Sequence, residues 1–411
     1  MNYELFVAKR IISGKEHKSS ISSPIIKIAI AAISLGVIIM LIAIATGEGL
    51  REKIRSKMSG FKGHIQITKY DANNSDVSVM PISKNQKFYP TFSNIKGIKN
   101  VQVYANQVGL IRTKTDFEGI VFKGVSTDYD WTFFKEYLIA GRIPDFNQKR
   151  TRDVLLSKTI VNRLQLQLND TINVTFFKNK ASKLPSNRKL VITGIYNTGF
   201  LEFDKNIMIG DIRQVQRLNR WNENEVGGFE VILENFDELE QKGTEIYKEI
   251  DATLDATTIA SNYPGLFEWI ELFDNNTWFI IIIMILVAGI NMITALLVLI
   301  LERIPMVGIL KAMGSSNWSI RKIFLYNASY LIFVGLFWGN LIGLLLLFLQ
   351  KYGRFITLDP ATYYVSEVPI SIDFLTVVFV NIGTLVLCFL MLIIPSVIIT
   401  KIQPSKSIRF A

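Results

Sequence analysis

Four uncharged apolar runs, at residues 28–47, 275–301, 323–350 and 374–400, constrain this 411-residue chain more than any other feature. Each reaches the roughly 20 residues that a helix needs to cross the hydrocarbon of a bilayer. A segment in lipid must satisfy its own backbone N–H and C=O groups, and a helix does so. The stretch between the first and second runs, 48–274, has ordinary globular composition. The expected fold is a four-span α-helical membrane protein with a large α+β domain between spans 1 and 2.

Charge gives the orientation. The formal net charge is +10. Residues 1–27, 302–322 and 401–411 together hold twelve basic and three acidic groups, whereas 48–274 holds 31 basic and 29 acidic, and 351–373 two and three. The surplus sits beside the membrane on alternate connections, as cytoplasmic loops require. It therefore marks a membrane side, and nucleic acid is not an expected partner. Both termini are expected inside, and the large domain outside, in the periplasm. The parts then read as a cytoplasmic amphipathic segment (1–23), span 1 (24–49), the periplasmic domain (50–274), span 2 (275–301), a cytoplasmic loop (302–322), span 3 (323–350), a periplasmic loop (351–373), span 4 (374–400) and a cytoplasmic tail (401–411).

Residues 2–12 mix apolar and charged residues at helical spacing, which suits a helix lying on the inner membrane face. Ser22-Ser23-Pro24 opens the first span, since Pro is favoured in a first helical turn. Ala43-Ile44-Ala45 offers a small-residue cleavage site, but a 27-residue leader before the apolar run is long for a signal peptide. Leu50–Arg55 reads as a polar continuation of the first helix. In the domain, period-2 patterning predicts strands over 63–68, 101–112, 119–124, 171–177, 189–196, 207–209 and 229–233. Helices are expected over 91–98, 157–165, 211–218 and 236–250, and over 266–273 into span 2. The domain divides into outer parts (50–104 and 231–274) and a strand-rich middle (105–230). Gly335, Gly339 and Gly343 recur every fourth residue in span 3, a flat stripe that lets another helix approach. Asn291, Asn327, Asn340 and Asn381 lie within spans and should face protein or a span end. Pro395 is expected to kink the last span.

Catalytic patterns are missing from the sequence. Its two histidines, His17 and His64, and single cysteine, Cys388, make no metal-ligand spacing. There is no G-x-S-x-G, H-E-x-x-H or G-x-x-x-x-G-K-[ST]. The four runs carry no Asp or Glu, the groups on which ion-coupled transport depends. Energy for any work on a substrate is expected from another subunit, and no cofactor is expected in this chain.

The loop Glu302-Arg303-Ile304-Pro305-Met306-Val307-Gly308-Ile309-Leu310-Lys311-Ala312-Met313-Gly314-Ser315-Ser316 resembles the one after the second span of MacB/FtsX-type ABC transporter permeases. That pattern is roughly E-x-x-x-E-I-[AG]-[IL]-[LM]-[RK]-A-[ML]-G-[AS]-[ST]. The chain departs from it at Pro305-Met306-Val307, where many members keep a charged residue and Glu-Ile. Ala140-Gly141-Arg142 with Asp153–Leu156 is similar to the family's G-R segment. Gly194–Asp204 with Gln214, and Pro404–Arg409, resemble the lipoprotein-releasing (Lol) branch.

The resemblance implies a permease that pairs with a second permease, identical or paralogous, and with a dimer of a cytoplasmic ABC ATPase that binds ATP and Mg. Glu302, Gly308, Ile309, Leu310, Lys311, Ala312, Met313 and Gly314 would form the coupling helix docked on that ATPase. In the Lol branch the cargo is an acylated lipoprotein, taken from the outer leaflet and handed to a periplasmic chaperone. Leu184-Pro185-Ser186-Asn187-Arg188, closing the loop 177–187, looks like the end of a chaperone-recruiting hook. Leu184, Pro185 and Arg188 are the expected contacts, and an ordinary solvated hairpin loop is the alternative. Two other functions stay open: a MacB-like exporter of peptides or small molecules, and an FtsX-like subunit that signals across the membrane without transport.

Overall fold

The computed structural model describes residues 3–13, 22–70, 80–114, 116–147, 150–177, 185–397 and 400. Along the chain these form α1 (Tyr3–Ser13), α2 (Ser22–Lys62), β1 (Ile65–Lys69), β2 (Ile82–Ser83), β3 (Ile98–Arg112), β4 (Phe117–Val125), α3 (Thr132–Tyr137), β5 (Leu138–Gly141), β6 (Asp153–Ser157), α4 (Lys158–Arg163), β7 (Thr171–Phe176), β8 (Ser186–Tyr196), α5 (Leu201–Asp204), β9 (Ile207–Asp211), α6 (Ile212–Asn219), β10 (Glu225–Val226) and β11 (Gly228–Leu233). They continue with α7 (Leu239–Glu249), β12 (Leu254–Thr258), α8 (Ile259–Asn262), α9 (Pro264–Glu302), α10 (Ile304–Ala312), α11 (Asn317–Gly353), α12 (Pro360–Tyr363) and α13 (Phe374–Ser396). Two compact units result: Met1–Arg51 with Trp269–Thr357 and Val368–Ala411, and Glu52–Glu268 with Leu358–Glu367.

The first unit is helical. Among the described residues, α2, α9, α11 and α13 are the helices long and apolar enough to cross a membrane. The ends of these helices follow local chemistry. The Ser316 side chain accepts from the Ser319 N–H at the start of α11, and Asp373 does the same for Thr376 at the start of α13. Pro395 falls in the last turn of α13. The glycine stripe of α11 lies against α2. A Cβ built on Gly335 would stand 2.7 Å from Ile33 Cγ2, one on Gly339 2.8 Å from Val37 Cβ, and one on Gly343 3.1 Å from Leu41 Cδ1. The Ser34 hydroxyl donates to the Gly335 carbonyl at 2.9 Å, a polar tie in the same interface. Asn340 and Asn381 join α11 to α13 by two reciprocal amide hydrogen bonds of 2.6 and 2.9 Å. Asn327 instead donates to Ile323 O in its own helix.

The second unit is built on one mixed sheet. Its order is β12-β1-β11-β3-β4-β9-β6-β8-β5, with β7 pairing both β3 and β8. That extra pairing closes β3, β4, β9, β6, β8 and β7 into a ring, which removes their free edges. The long strand β3 makes this possible. It pairs with β11 over Ile98–Tyr104, with β4 over Tyr104–Arg112 and with β7 over Gly109–Arg112. Phe122 and Phe176, both fully buried, meet edge to face at 5.6 Å across the ring.

The expected helix over 91–98 is not formed: the stretch is irregular until β3 begins at Ile98. Phe92, Ile95 and Ile98 have helical spacing, but Gly97 takes φ +81° and Phe92 stacks on Phe88 at 5.1 Å. Packing on the Phe88 and Phe229 rings outweighs the local pattern there. Strands β5 and β12 and helix α3 had no strong periodic signal in the sequence.

The helix contact gives a direct test. Gly339→Leu should destabilise the membrane unit by about 1–3 kcal/mol through overpacking. Gly383→Leu, where an added Cβ meets nothing within 4 Å, should be near neutral. Thermal unfolding in detergent would compare them.

Candidate functional site

The connection between α9 and α11 is a short helix with two different faces. Pro305 stands in the first turn of α10, where its missing N–H costs no hydrogen bond. Val307, Gly308 and Leu310 are buried against the membrane helices. Ile309, Ala312 and Met313 are exposed, Met313 by 76%. Their i, i+3, i+4 spacing sets them on one stripe. Gly314 ends the segment at φ +88°, a left-handed turn that favours glycine. Trp318, 58% exposed, follows in the first turn of α11. Lys311 does not join the outward stripe: its ammonium donates to Thr400 O at 3.4 Å. Glu302 is exposed at the end of α9. The outward surface of this connection is therefore mainly apolar.

In the domain, the expected chaperone contacts fall partly outside the description. Leu184 lies outside the described residues, as does the loop 178–184. Pro185 is exposed and Arg188 half-buried in β8. The Arg188 guanidinium is held below its ordinary pKa by partial burial and by the neighbouring cations Arg217 and Arg150. His64 is a structural acceptor. Its Nδ1 takes the Leu233 N–H at 2.7 Å, and burial, then Lys99, pushes its pKa down to about 4. Among the described residues no three His, Cys, Asp or Glu side chains form a metal-holding group.

The MacB-like periplasmic core domain profile matches residues 28–246, and the FtsX-like permease C-terminal profile matches 278–404. This chain belongs to the MacB/FtsX family of ABC transporter permeases. The permease is 21% identical over 424 residues to the lipoprotein-releasing system transmembrane protein LolC of Neisseria meningitidis serogroup B, covering 99% of both chains. It is 19% identical to LolE of Haemophilus influenzae, again over 99% of both. The periplasmic region of MacB from Actinobacillus actinomycetemcomitans is 15% identical, with a TM-score of 0.36 over 53% of this chain and 97% of that one.

Two constellations in the permease's domain escaped sequence reasoning. The first grips the end of α2. Phe61 inserts among Phe133, Phe134, Tyr196 and Phe203, with ring centroids 4.9–5.9 Å away. The buried Lys123 ammonium donates to Phe61 O at 2.5 Å and pairs with buried Glu230 at 2.7 Å. A cation on the last carbonyls of a helix meets the negative end of its dipole. Gln102 donates to the same Glu230 carboxylate at 2.9 Å. The second is a clasp on the Thr198–Asp204 turn. Fully buried Asp204 accepts from Thr198 Oγ1 at 2.7 Å and from Gly199 N at 3.0 Å. Lys57 donates to Tyr364 O at 3.1 Å, and the Tyr364 ring lies 5.2 Å from Phe200. The segment 358–367, far away in sequence, is thereby held to this turn. The Gly194–Asp204 motif marked the place, but nothing local in it names Lys57 or Tyr364 as partners.

The buried carboxyl makes the clasp pH-sensitive. Desolvation raises Asp204 from the ordinary 3.8 to about 6, against the opposing effect of its hydrogen bonds and Lys57. A folded-state pKa above the unfolded one stabilises the fold below the unfolded value, and that contribution is lost as pH rises through about 6. Relative to Asp204→Asn, wild type should lose on the order of 2 kcal/mol between pH 4 and pH 7. Denaturant unfolding of both proteins across that range would measure it.

Proposed function

We propose that this permease extracts acylated lipoproteins from the outer leaflet of the inner membrane and passes them to a periplasmic chaperone, driven by a separate ATPase subunit. The observation that carries the reading is end-to-end similarity to proteins named for lipoprotein release, covering 99% of the chain for both LolC and LolE. The geometry supports it at two places. The outward stripe Ile309, Ala312 and Met313 on α10 suits a protein partner, because an exposed apolar row on a water-facing connection is otherwise unfavourable. In this reading the partner is the dimeric ATPase, which holds ATP and Mg, and Gly314 provides the turn back into α11. Exposed Pro185 and the nearby Arg188 at the start of β8 suit an acidic face of the chaperone. Both termini and α10 would then be cytoplasmic and the sheet domain periplasmic, with a second permease completing the transporter.

The physics calls for coupled energy. Lifting acyl chains out of the bilayer costs about 0.8 kcal/mol per CH₂. This chain supplies apolar helices, while the ATP cycle of the partner supplies the work. A MacB-like exporter shares the core-domain match over 28–246, and cargo separates the two readings.

Depletion in cells tests the function. Outer-membrane lipoproteins should accumulate in the inner membrane, and wild-type chain should restore sorting. An Ile309→Asp/Met313→Asp double variant should insert normally yet fail to restore it. Normal sorting after depletion would refute the proposal.

A further inference from the structure

We infer that α1 is a binding surface for anionic phospholipid headgroups. One face of this helix is already committed. Glu4 accepts from Ser319 Oγ at 3.0 Å and faces the Lys322 ammonium at 3.8 Å, both on the first turns of α11. Ala8, one turn further on, is 2% exposed within the core shared by the membrane helices, and Val7 packs against that core. Positions 4, 7 and 8 thus fix the rotation of α1 about its axis.

The opposite arc is then determined by the helical repeat of 100° per residue. Around it come Leu5, Lys9, Phe6, Arg10 and Tyr3, in that order. Leu5, Phe6 and Tyr3 are each about half exposed, and Lys9 and Arg10 are exposed. Apolar and cationic side chains alternate around the arc instead of separating into two stripes. That arrangement fits the headgroup layer. Leu5 and Phe6 can enter the acyl boundary, and Tyr3 can sit at the interface with its hydroxyl in water. Lys9 and Arg10 can extend their stems along the same apolar surface and place their charges on phosphates. A protein groove would favour a continuous apolar stripe, which this arc does not offer. Lys322, the nearby cation on α11, already faces Glu4, so Lys9 and Arg10 are the charges that α1 turns outward.

The occupant is a lipid of the surrounding bilayer. This inference rests on the chain being a membrane protein and not on its cargo. The pin between Glu4 and Ser319 also gives the site a reach. Ser316 and Ser319 form the cap of α11, two residues beyond the Gly314 turn. A headgroup held on α1 would steady that cap.

The test uses the full chain with Cys388→Ala and a fluorophore on Phe6→Cys, reconstituted in nanodiscs of phosphatidylcholine alone or with 30 mol % phosphatidylglycerol. Lipid retention is read in parallel by native mass spectrometry. The expected result is a preference for phosphatidylglycerol of about thirtyfold, the order two basic side chains give at an anionic surface. It should be lost in Lys9→Gln/Arg10→Gln and kept in Lys9→Arg/Arg10→Lys. The fluorophore at position 6 should be quenched by lipid-borne and not by aqueous quencher. An equal preference in the charge-removed variant would place the lipid on another basic segment and overturn the inference. So would a probe that stays in water in both nanodiscs, or one that becomes shielded only when the ATPase subunit is added. Circular dichroism and gel filtration confirm that each variant is folded.

Discussion

The close approach of α2 to α11 over Gly335, Gly339 and Gly343 is the interaction on which the membrane unit depends. Lipid tails are as apolar as leucine, so burial alone does not bring two spans together. Association has to come from dense van der Waals contact and from polar ties that find no better partner in hydrocarbon. The stripe supplies the first, and the Ser34–Gly335 and Asn340–Asn381 hydrogen bonds supply the second. Any side chain larger than hydrogen at Gly335 or Gly339 would force α2 away. The same helix ends in a different environment, where Phe61 lies among four aromatic rings and its carbonyl meets Lys123. A buried ion pair such as Lys123–Glu230 adds little to stability compared with an apolar pair of equal volume. Its value here is positional, because it fixes where the helix end sits on the sheet.

Much of this was legible in the sequence, and the reason is local. Spans announce themselves by length and lack of charge. Strands such as β3 and β8 show through alternation, and the glycine stripe through its spacing of four. What stayed hidden depends on residues distant in the chain. Lys123 and Glu230 look like ordinary surface charges of two amphipathic strands until β3 brings their strands together. Lys57 and Tyr364 are separated by most of the chain. Phe92 and Ile95 show the converse, a helical spacing that aromatic packing overrides. The motif marked the connection between α9 and α11, but it could not say that Lys311 turns toward Thr400 while Ile309 and Met313 face outward.

These parts have a common logic. The chain presents an apolar stripe on the connection between α9 and α11. It carries a domain in whose sheet β3, β4, β9, β6, β8 and β7 close into a ring without free edges. The family assignment says what such a chain is, a permease subunit. In the proposed reading, the exposed stripe on the α9–α11 connection is where a partner would meet it.

The account stands on α10 and the sheet domain lying on opposite sides of the bilayer. Cysteine accessibility measures this directly, in a Cys388→Ala background, with a membrane-impermeant thiol reagent applied to cells whose outer membrane has been opened. Lys248→Cys, on the exposed face of α7, should label at once. Met313→Cys should label only after the inner membrane is broken. Prompt labelling of position 313 with protection of position 248 would contradict the account.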